Sequence, residues 1–242
     1  MSFEYQIYRG DQISEPILTD AARLFSENYG VWGLQASSKL GTFAKAGRRI
    51  RMSSIRLKQQ CLPPGADNIY IRAVKGEKLV GNVFATRWVH QGRRMCWIAQ
   101  LVVSSYYRNL RIATELLRKL QEQEQGEEQA FGILSSHPFA IRAALRAFGH
   151  GLEKVNLSMT QKYAATTMAS CPIVYVREAK LRGSLFGESG AETGVKSCAD
   201  TKFYVDHQEP VQALNAAKQS GLEWPLGDLP EGHEFLLLIG RS

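Results

Sequence analysis

The sequence has few of the residues and patterns that mark metal-binding, disulfide-bonded or membrane-spanning proteins. Only four of its 242 residues are cysteines, and no two of them have Cys-x-x-Cys spacing. This scarcity argues against a zinc site and a disulfide framework, and it fits a reducing compartment. No apolar run approaches the roughly 18 residues that a membrane helix needs. We therefore expect a soluble protein with no metal site and no membrane span.

A targeting signal is also missing from the first residues. The opening segment MSFEYQIYRGDQ has no basic region followed by an apolar one, which a secretory signal requires. The composition, 44% hydrophobic and 22% charged, is that of a globular protein able to bury a core. Together these observations predict a cytoplasmic location.

Acidic residues are absent from one long stretch of the chain. No Asp or Glu lies between Tyr29 and Ala66, whereas seven Lys and Arg residues do, as many as the net charge of +7 of the whole chain. Such a region can meet the phosphates of a cofactor, an acidic substrate, nucleic acid or an anionic membrane, or it can be a solvated surface. Phe43 is the only aromatic residue between Lys39 and Lys58, which disfavours binding of single-stranded nucleic acid.

The most informative segment is a strand, a turn and a helix between Leu101 and Leu120. The turn lies around Arg108 and Arg111, and the helix that follows places its apolar residues on one face at helical spacing. A turn at a helix start exposes several backbone N–H groups without partners, and the helix dipole adds partial positive charge there. Such a place binds phosphate. The alternative is an ordinary strand–helix connection that binds nothing.

This segment resembles the acyl-CoA-binding motif of the GNAT superfamily of N-acyltransferases. That motif reads Gln/Arg-x-x-Gly-x-Gly/Ala and follows a strand ending in Leu-x-Val. Leu101 and Val103 match the strand, Arg108 matches the first position of the motif, and Ala113 matches the last. Arg111 stands where the family usually has Gly, which lets the backbone approach a pyrophosphate closely. An Arg there can add a donor to phosphate instead.

The resemblance extends over residues 3–155 and implies a fold. It predicts an α+β architecture with a GNAT-like mixed, mostly antiparallel central sheet flanked by helices. A single domain would span residues 1–242, with an insertion or cap at residues 156–200. The two strands that close a GNAT sheet are placed at FYVDH (residues 203–207) and at HEFLLLIG (residues 233–240).

The resemblance also implies a cofactor, acetyl-CoA, and the residues that hold it. The strand before the turn would supply backbone groups for the pantetheine arm and the oxyanion, and the turn would supply N–H groups to the pyrophosphate. His137 would contact the pantetheine arm or cap the helix that follows it. Glu27 and Tyr29 lie where such folds meet the acceptor. The predicted cofactor-binding residues are Leu101, Val102, Val103, Arg108, Asn109, Leu110, Arg111, Ile112, Ala113, Thr114 and His137.

The usual catalytic groups of the family are missing. The strand from Cys96 to Val103 contains no Asp, Glu or His as a base, and the helix from Pro138 to Gly149 contains no Tyr as an acid. His90, at the end of the preceding strand, is a substitute base or an exposed strand-end residue. Asp206 and His207 form a carboxylate–imidazole pair or the cap of the next helix. We take these three residues as the catalytic candidates.

Two functions therefore remain open. The first is an acyl-CoA-dependent N-acyltransferase, with acetyl as the favoured acyl group, acting on a small-molecule amine by direct attack. The second is a catalytically silent GNAT-like module that binds CoA as a regulator. Nucleic acid is a less favoured partner, and no membrane partner is expected.

Overall fold

An eight-stranded sheet organises the part of the chain that the computed structural model describes. Those residues are 2–123, 129–149, 151–152, 155–187 and 194–240. The strand order is β1-β2-β3-β4-β5-β8-β7-β6. All neighbouring strands run antiparallel except β4 and β5, which run parallel. The predicted α+β class with a mixed, mostly antiparallel sheet is confirmed. The strands are β1 Glu4–Arg9, β2 Asp67–Lys75, β3 Lys78–His90, β4 Arg93–Val103, β5 Gln129–Ser135, β6 Lys180–Arg182, β7 Cys198–Asp200 and β8 His233–Gly240.

Helices cover both faces of this sheet. On one face α4 and α5 bury their apolar stripes against β2 to β5 and β8, and α8 packs beside them. On the other face α1 and α3 cover β2 and β3, while α6 and α7 cover the region of β8. Among the described residues, no helix is both long enough and apolar enough to cross a bilayer. The helices are α1 Glu15–Asn28, α2 Ala36–Leu40, α3 Ser54–Cys61, α4 Ile112–Glu122, α5 Pro138–Phe148, α6 Ser158–Ala169, α7 Val174–Glu178 and α8 Gln208–Gln219.

A β-bulge at Ala99 changes which side chains of β4 share a face. Phe84 pairs with Gln100 and Ala85 with Ile98, so Ala99 has no opposite residue on β3. Strict alternation along β4 predicts that Trp97, Ala99, Leu101 and Val103 share one face of the sheet. This prediction is wrong. Trp97 packs under α6 and α7, whereas Leu101 and Val103 join the core under α4. The extra residue of a bulge reverses the parity of everything that follows it.

The placement of a closing strand at residues 203–207 is also wrong. The strand next to β8 is β7, Cys198–Asp200. Within 203–207, Val205 forms only an isolated bridge with Trp32, and Gly33 N donates to Tyr204 O at 2.9 Å. The rings of Phe203 and Trp32 pack edge to face. The alternating segment therefore packs on the loop after α1 and not beside β8. Alternation alone does not specify which strand or loop a segment packs against.

The stretch 156–200 contributes to the sheet as well as covering it. It contains α6 and α7, and its short strands β6 and β7 extend the sheet beyond β8. Residues 188–193 of this stretch lie outside the described residues. The last strand, β8, is buried along most of its length, as expected for a strand with neighbours on both sides.

Candidate active site

β4 and β5 stop pairing before either strand ends, and the region between their unpaired edges is called the cleft below. The two strands are paired from Arg94 and Gln129 to Ile98 and Ile133, and no pairing continues beyond that point. β4 runs on to Val103 with β3 as its neighbour on one side. The carboxyl-terminal part of β4 therefore presents an unpaired edge toward the cleft.

Two of the three predicted strand residues present their backbone to this cleft. Ser104 N donates to Val80 O on the β3 side at 2.8 Å. Because hydrogen-bonding direction alternates along an antiparallel strand, Val102 also faces β3, where its partner is Asn82. The backbone groups of Leu101 and Val103 then face the open side. An extended ligand arm could pair with these two residues, and Val102 would contribute its side chain to the core beside α1.

The turn after β4 adopts two left-handed residues before α4 begins. Asn109 has φ 63° and Arg111, the N-cap of α4, has φ 62°. Asn109, Leu110 and Arg111 are exposed. The first N–H groups of a helix have no intrahelical acceptor, so those of residues 112–114 are free to bind an anion at this end of the cleft. The sequence-predicted turn thus has the backbone geometry of an anion cradle.

Arg111 occupies a conformation that suits glycine, and this predicts a stability change. Arg111→Gly should raise the free energy of unfolding by up to about 1 kcal/mol, because an L-residue in the left-handed region is strained and Gly is not. Urea unfolding measures the difference. Arg111→Ala is the matched control, since it removes the same charge and keeps the strain. Equal stability of the Gly and Ala variants would contradict the prediction.

The Arg108 side chain does not point to the cradle. Its guanidinium donates to Asn28 O at 3.0 Å and lies 3.2 Å from a carboxylate oxygen of Glu209. Asn28 Oδ1 in turn accepts from Ser105 N at 2.8 Å. Arg108 ties the turn to the ends of α1 and α8. Its predicted part in binding the cofactor stays a prediction.

His137 is used as a helix cap. Its Nδ1 accepts from Phe139 N at 3.2 Å, and its Nε2 lies 3.3 Å from Glu209 Oε1. The hydrogen bond to His137, followed by the charges of His137 and Arg108, lowers the pKa of Glu209. Glu209 thus links the starts of α4 and α5, the two elements that flank the cleft. Of the two roles predicted for His137, the structure shows the cap.

The three predicted catalytic residues are not brought together. His90 pairs with Arg93 at the far end of the β3–β4 hairpin. Arg93 is ten residues from Val103, which is roughly 30 Å along a strand. Asp206 Oδ1 accepts from Gln208 N at 2.7 Å, so Asp206 and His207 form the start of α8. His207 lies at a cavity of about 200 Å³ beside α8, and burial lowers its pKa. None of the three carboxylate or imidazole groups lies on the unpaired edge of β4.

Sequence reasoning missed a buried carboxylate near the point where β4 and β5 separate. Glu234 is only 6% exposed and pairs with Ala199 on β7, one residue before the pair that joins Ser135 to Phe235. Burial raises its pKa to about 7, against a lowering by the Thr201 hydroxyl. The signal was a lone acid in the otherwise apolar run HEFLLLIG.

Two tyrosines share this location with Glu234. Tyr29 directly follows α1, and the nearby Ser136 hydroxyl acts on its pKa; Tyr175 on α7 donates to Ala99 O at 2.9 Å. Burial raises the pKa of both phenols, and the negative charge of Glu234 raises them further. The group formed by Tyr29, Tyr175 and Glu234 is called the Glu234 cluster below. Tyr29, a sequence-predicted acceptor residue, is therefore part of it.

The basic region predicted from the sequence is a surface feature. All seven of its Lys and Arg side chains are exposed, and the apolar side chains of Leu34, Phe43 and Ile55 are exposed among them. Within the described ranges no three His, Cys, Asp or Glu side chains are grouped as a metal ion would need. The seven residues are Lys39, Lys45, Arg48, Arg49, Arg51, Arg56 and Lys58.

Comparison with known proteins gives one family match. Residues 42–150 match the sequence model of the Acetyltransferase (GNAT) family. This segment holds β2 to β5, the turn, α4 and α5, and so it includes the cleft described above. None of the curated protein sequences is significantly similar to this one.

Solved structures with a similar arrangement are acetyltransferases of low sequence identity. An aminoglycoside acetyltransferase from an uncultured soil metagenomic sample, in complex with sisomicin, is 16% identical, with 53% of this chain and 76% of that chain covered and a TM-score of 0.36. The ribosomal-protein-S18-alanine N-acetyltransferase from Escherichia coli is 13% identical, with 58% and 74% covered and a TM-score of 0.36. The PaiA N-acetyltransferase from Thermoplasma acidophilum, in complex with coenzyme A, is 13% identical, with 55% and 79% covered and a TM-score of 0.36.

Proposed function

From a central segment that carries the GNAT acetyltransferase signature, we propose that this protein is an acyl-CoA-dependent N-acyltransferase, with acetyl-CoA as donor and a small amine as acceptor. The observation that carries the proposal is the cleft itself. β4 and β5 separate after Ile98 and Ile133, and the freed edge of β4 leads directly into a left-handed turn at the start of α4. An unpaired strand edge followed by an anion cradle suits an extended ligand with a diphosphate.

The residues present fit such a ligand. The backbone groups of Leu101 and Val103 can pair with the amides of a pantetheine arm. The N–H groups of Ile112, Ala113 and Thr114 can hold the diphosphate. Arg111 is exposed beside them and can add a charge-assisted contact. His137 stays a cap and positions the start of α5.

The chemistry then follows from what these groups do. A bound acyl-CoA supplies the activated acyl group. The backbone N–H groups on the free edge of β4 stabilise negative charge that develops on the acyl oxygen, as preorganised donors do in a site with little water. Attack requires an unprotonated amine, and an alkyl ammonium with a pKa of about 10.4 has to lose a proton first. A base within the cleft is therefore required.

The proposal is tested by turnover with a panel of simple amines. The protein, acetyl-CoA and each amine are incubated together, and release of the CoA thiol is followed with a thiol reagent. We expect thiol release that depends on the amine, with an acetylated amine identified by mass spectrometry. Acetyl-CoA binding without thiol release on any amine would favour the alternative, a silent CoA-binding module. The absence of the family's usual base and Tyr from β4 and α5 is the observation that favours this alternative. Absence of acetyl-CoA binding would exclude both.

The cellular location and the domain organisation belong to the same proposal. We place the enzyme in the cytoplasm, where its four free cysteines would remain reduced. The single-domain reading of the chain is also proposed, since β6 to β8 complete the same sheet that carries the cleft.

A further inference from the structure

We infer that the Glu234 cluster is the acceptor site, in which Glu234 binds the ammonium group of a monocationic primary amine and takes a proton from it. This inference rests on the proposed function, because the proton is removed to allow attack on the acyl group. It assigns the missing base to β8, a strand from which neither the motif nor the resemblance predicts one.

The position of Glu234 on the sheet is the first argument. Leu236, two residues further along β8, packs under α6 and α7 with Trp97 and Tyr175. Because side chains alternate along a strand, Glu234 projects from the same face. Its place along β8 is next to the last pair between β5 and β8. The carboxylate is thus held on the face covered by α1 and α7, at the level where β4 leaves β5.

The second argument is the bridge from this cluster to β4. Tyr175 donates its hydroxyl proton to the carbonyl of Ala99, the bulge residue. The Ser136 hydroxyl, just past the end of β5, lowers the pKa of Tyr29. Tyr175 therefore contacts β4, Tyr29 lies toward the end of β5, and Glu234 acts electrostatically on both tyrosines. An amine bound among these three groups lies beside the freed edge of β4.

The surroundings of the Glu234 carboxylate lack a cationic side chain among the groups that act on its pKa. A buried carboxylate without a cationic partner costs stability, and the interactions that act on Glu234 are burial and the Thr201 hydroxyl. The titratable groups that face the cluster are Tyr29 from α1, Cys61 from α3 and Tyr175 from α7, and burial raises the pKa of each. All three are neutral near pH 7, so an ammonium ion would supply the positive charge that the site lacks.

The class of acceptor follows from the walls of the site. Tyr29 stacks on Phe25 with ring centroids 4.4 Å apart and lies 5.7 Å from the ring of Phe203. Aromatic rings favour an apolar or flat body and interact well with an ammonium group. The cluster offers one carboxylate, so it suits one positive charge. A primary arylalkylamine has this chemistry.

The ionised Glu234 takes one proton from the ammonium nitrogen, and the freed electron pair forms the C–N bond to the acyl carbon. The C–S bond breaks, and a second proton from the nitrogen ends on the departing sulfur. The third hydrogen remains on the amide. Glu234 returns its proton to solvent before the next cycle.

Binding of phenethylammonium tests the inference without requiring turnover. The amine is titrated calorimetrically into the wild-type protein and into Glu234→Gln, with and without CoA. We expect at least tenfold weaker binding to Glu234→Gln and unchanged binding to Glu231→Gln, an exposed glutamate of the same segment. For the wild type, affinity should rise as the pH passes through about 7 and Glu234 ionises. Equal affinity of wild type and Glu234→Gln, or no binding to the wild type at millimolar amine, would overturn the inference.

The pH dependence of the free energy of unfolding shows whether Glu234→Gln is folded and whether Glu234 is buried as described. The folded protein raises the pKa of Glu234 from its ordinary value of 4.5 to about 7, so it binds the proton more tightly than the unfolded chain does. Its stability contribution is therefore fully present below pH 4.5 and is lost as the pH rises toward 7. Glu234→Gln should fold and lack this loss of stability; a Glu234→Gln protein that keeps the same pH dependence would contradict the placement. Acetyl-CoA binding is measured in parallel. Its absence would contradict the proposed function, whereas absence of amine binding alone would contradict only the role of Glu234.

Discussion

Ala113→Pro should raise the dissociation constant for acetyl-CoA between about 10-fold and 150-fold while leaving the protein folded. Ala113 is the second residue of α4, after the N-cap Arg111. Proline in the first turn of a helix removes an N–H that has no intrahelical acceptor, so the helix tolerates it. If that N–H binds the diphosphate, its loss removes a hydrogen bond to a charged group. Such bonds contribute about 1.5–3 kcal/mol, which corresponds to the stated range.

Ala113→Gly is the matched control for this experiment. It keeps the N–H and costs about 0.5–1 kcal/mol of helix stability, as the proline variant also does through restriction of the preceding residue. Both variants should show similar losses in urea unfolding, and only the proline variant should lose affinity in isothermal titration. Similar affinities of the two variants would mean that the diphosphate lies elsewhere.

Gly132→Ala should lower the free energy of unfolding by about 1–3 kcal/mol. Gly132 on β5 pairs with Trp97 on β4, in the last part of the parallel ladder before the cleft. A Cβ at this position would overlap the indole ring of Trp97, which is fully buried under α6 and α7. Neither strand can move away without breaking the ladder, so the strain remains in the folded state. Urea denaturation measures the loss as a lower midpoint at an unchanged slope.

A double-mutant cycle identifies the cause of this loss. Trp97→Ala removes the ring and creates a cavity, with its own cost of about 3–5 kcal/mol. In that background Gly132→Ala should cost at least about 1 kcal/mol less than in the wild type, because contacting residues show coupling of this size. Additive effects would show that the ring does not press on Gly132.

The cofactor side of the candidate site could be predicted from the sequence, because it is made by local backbone. An apolar strand, a short polar turn and an amphipathic helix are consecutive in the chain, so the unpaired donors at Ile112 to Thr114 follow from the order of residues alone. The side chain of Arg108 could not be assigned in this way. Its partners, Asn28 and Glu209, are 80 and 101 residues away in the sequence, and nothing local distinguishes a phosphate ligand from a structural tie.

The acceptor side could not be predicted, because the fold assembles it from distant segments. Tyr29, Tyr175 and Glu234 come from α1, α7 and β8, and no spacing in the chain connects them. The bulge at Ala99 had the same effect on β4, since one inserted residue changed the face of every later side chain. The short strand β7 escaped detection because three residues carry no periodicity. The alternation at residues 203–207 is a stronger strand signal than these three residues carry.

The crystal structure of this protein with bound CoA tests the central claim most directly. The claim is that the backbone beyond the divergence of β4 and β5 binds a thioester carrier. We predict that the diphosphate oxygens lie about 3 Å from the N–H groups of residues 112–114 and that the pantetheine arm runs along Leu101 and Val103. CoA bound outside the cleft, or a cleft closed by side chains at saturating CoA, would contradict the account.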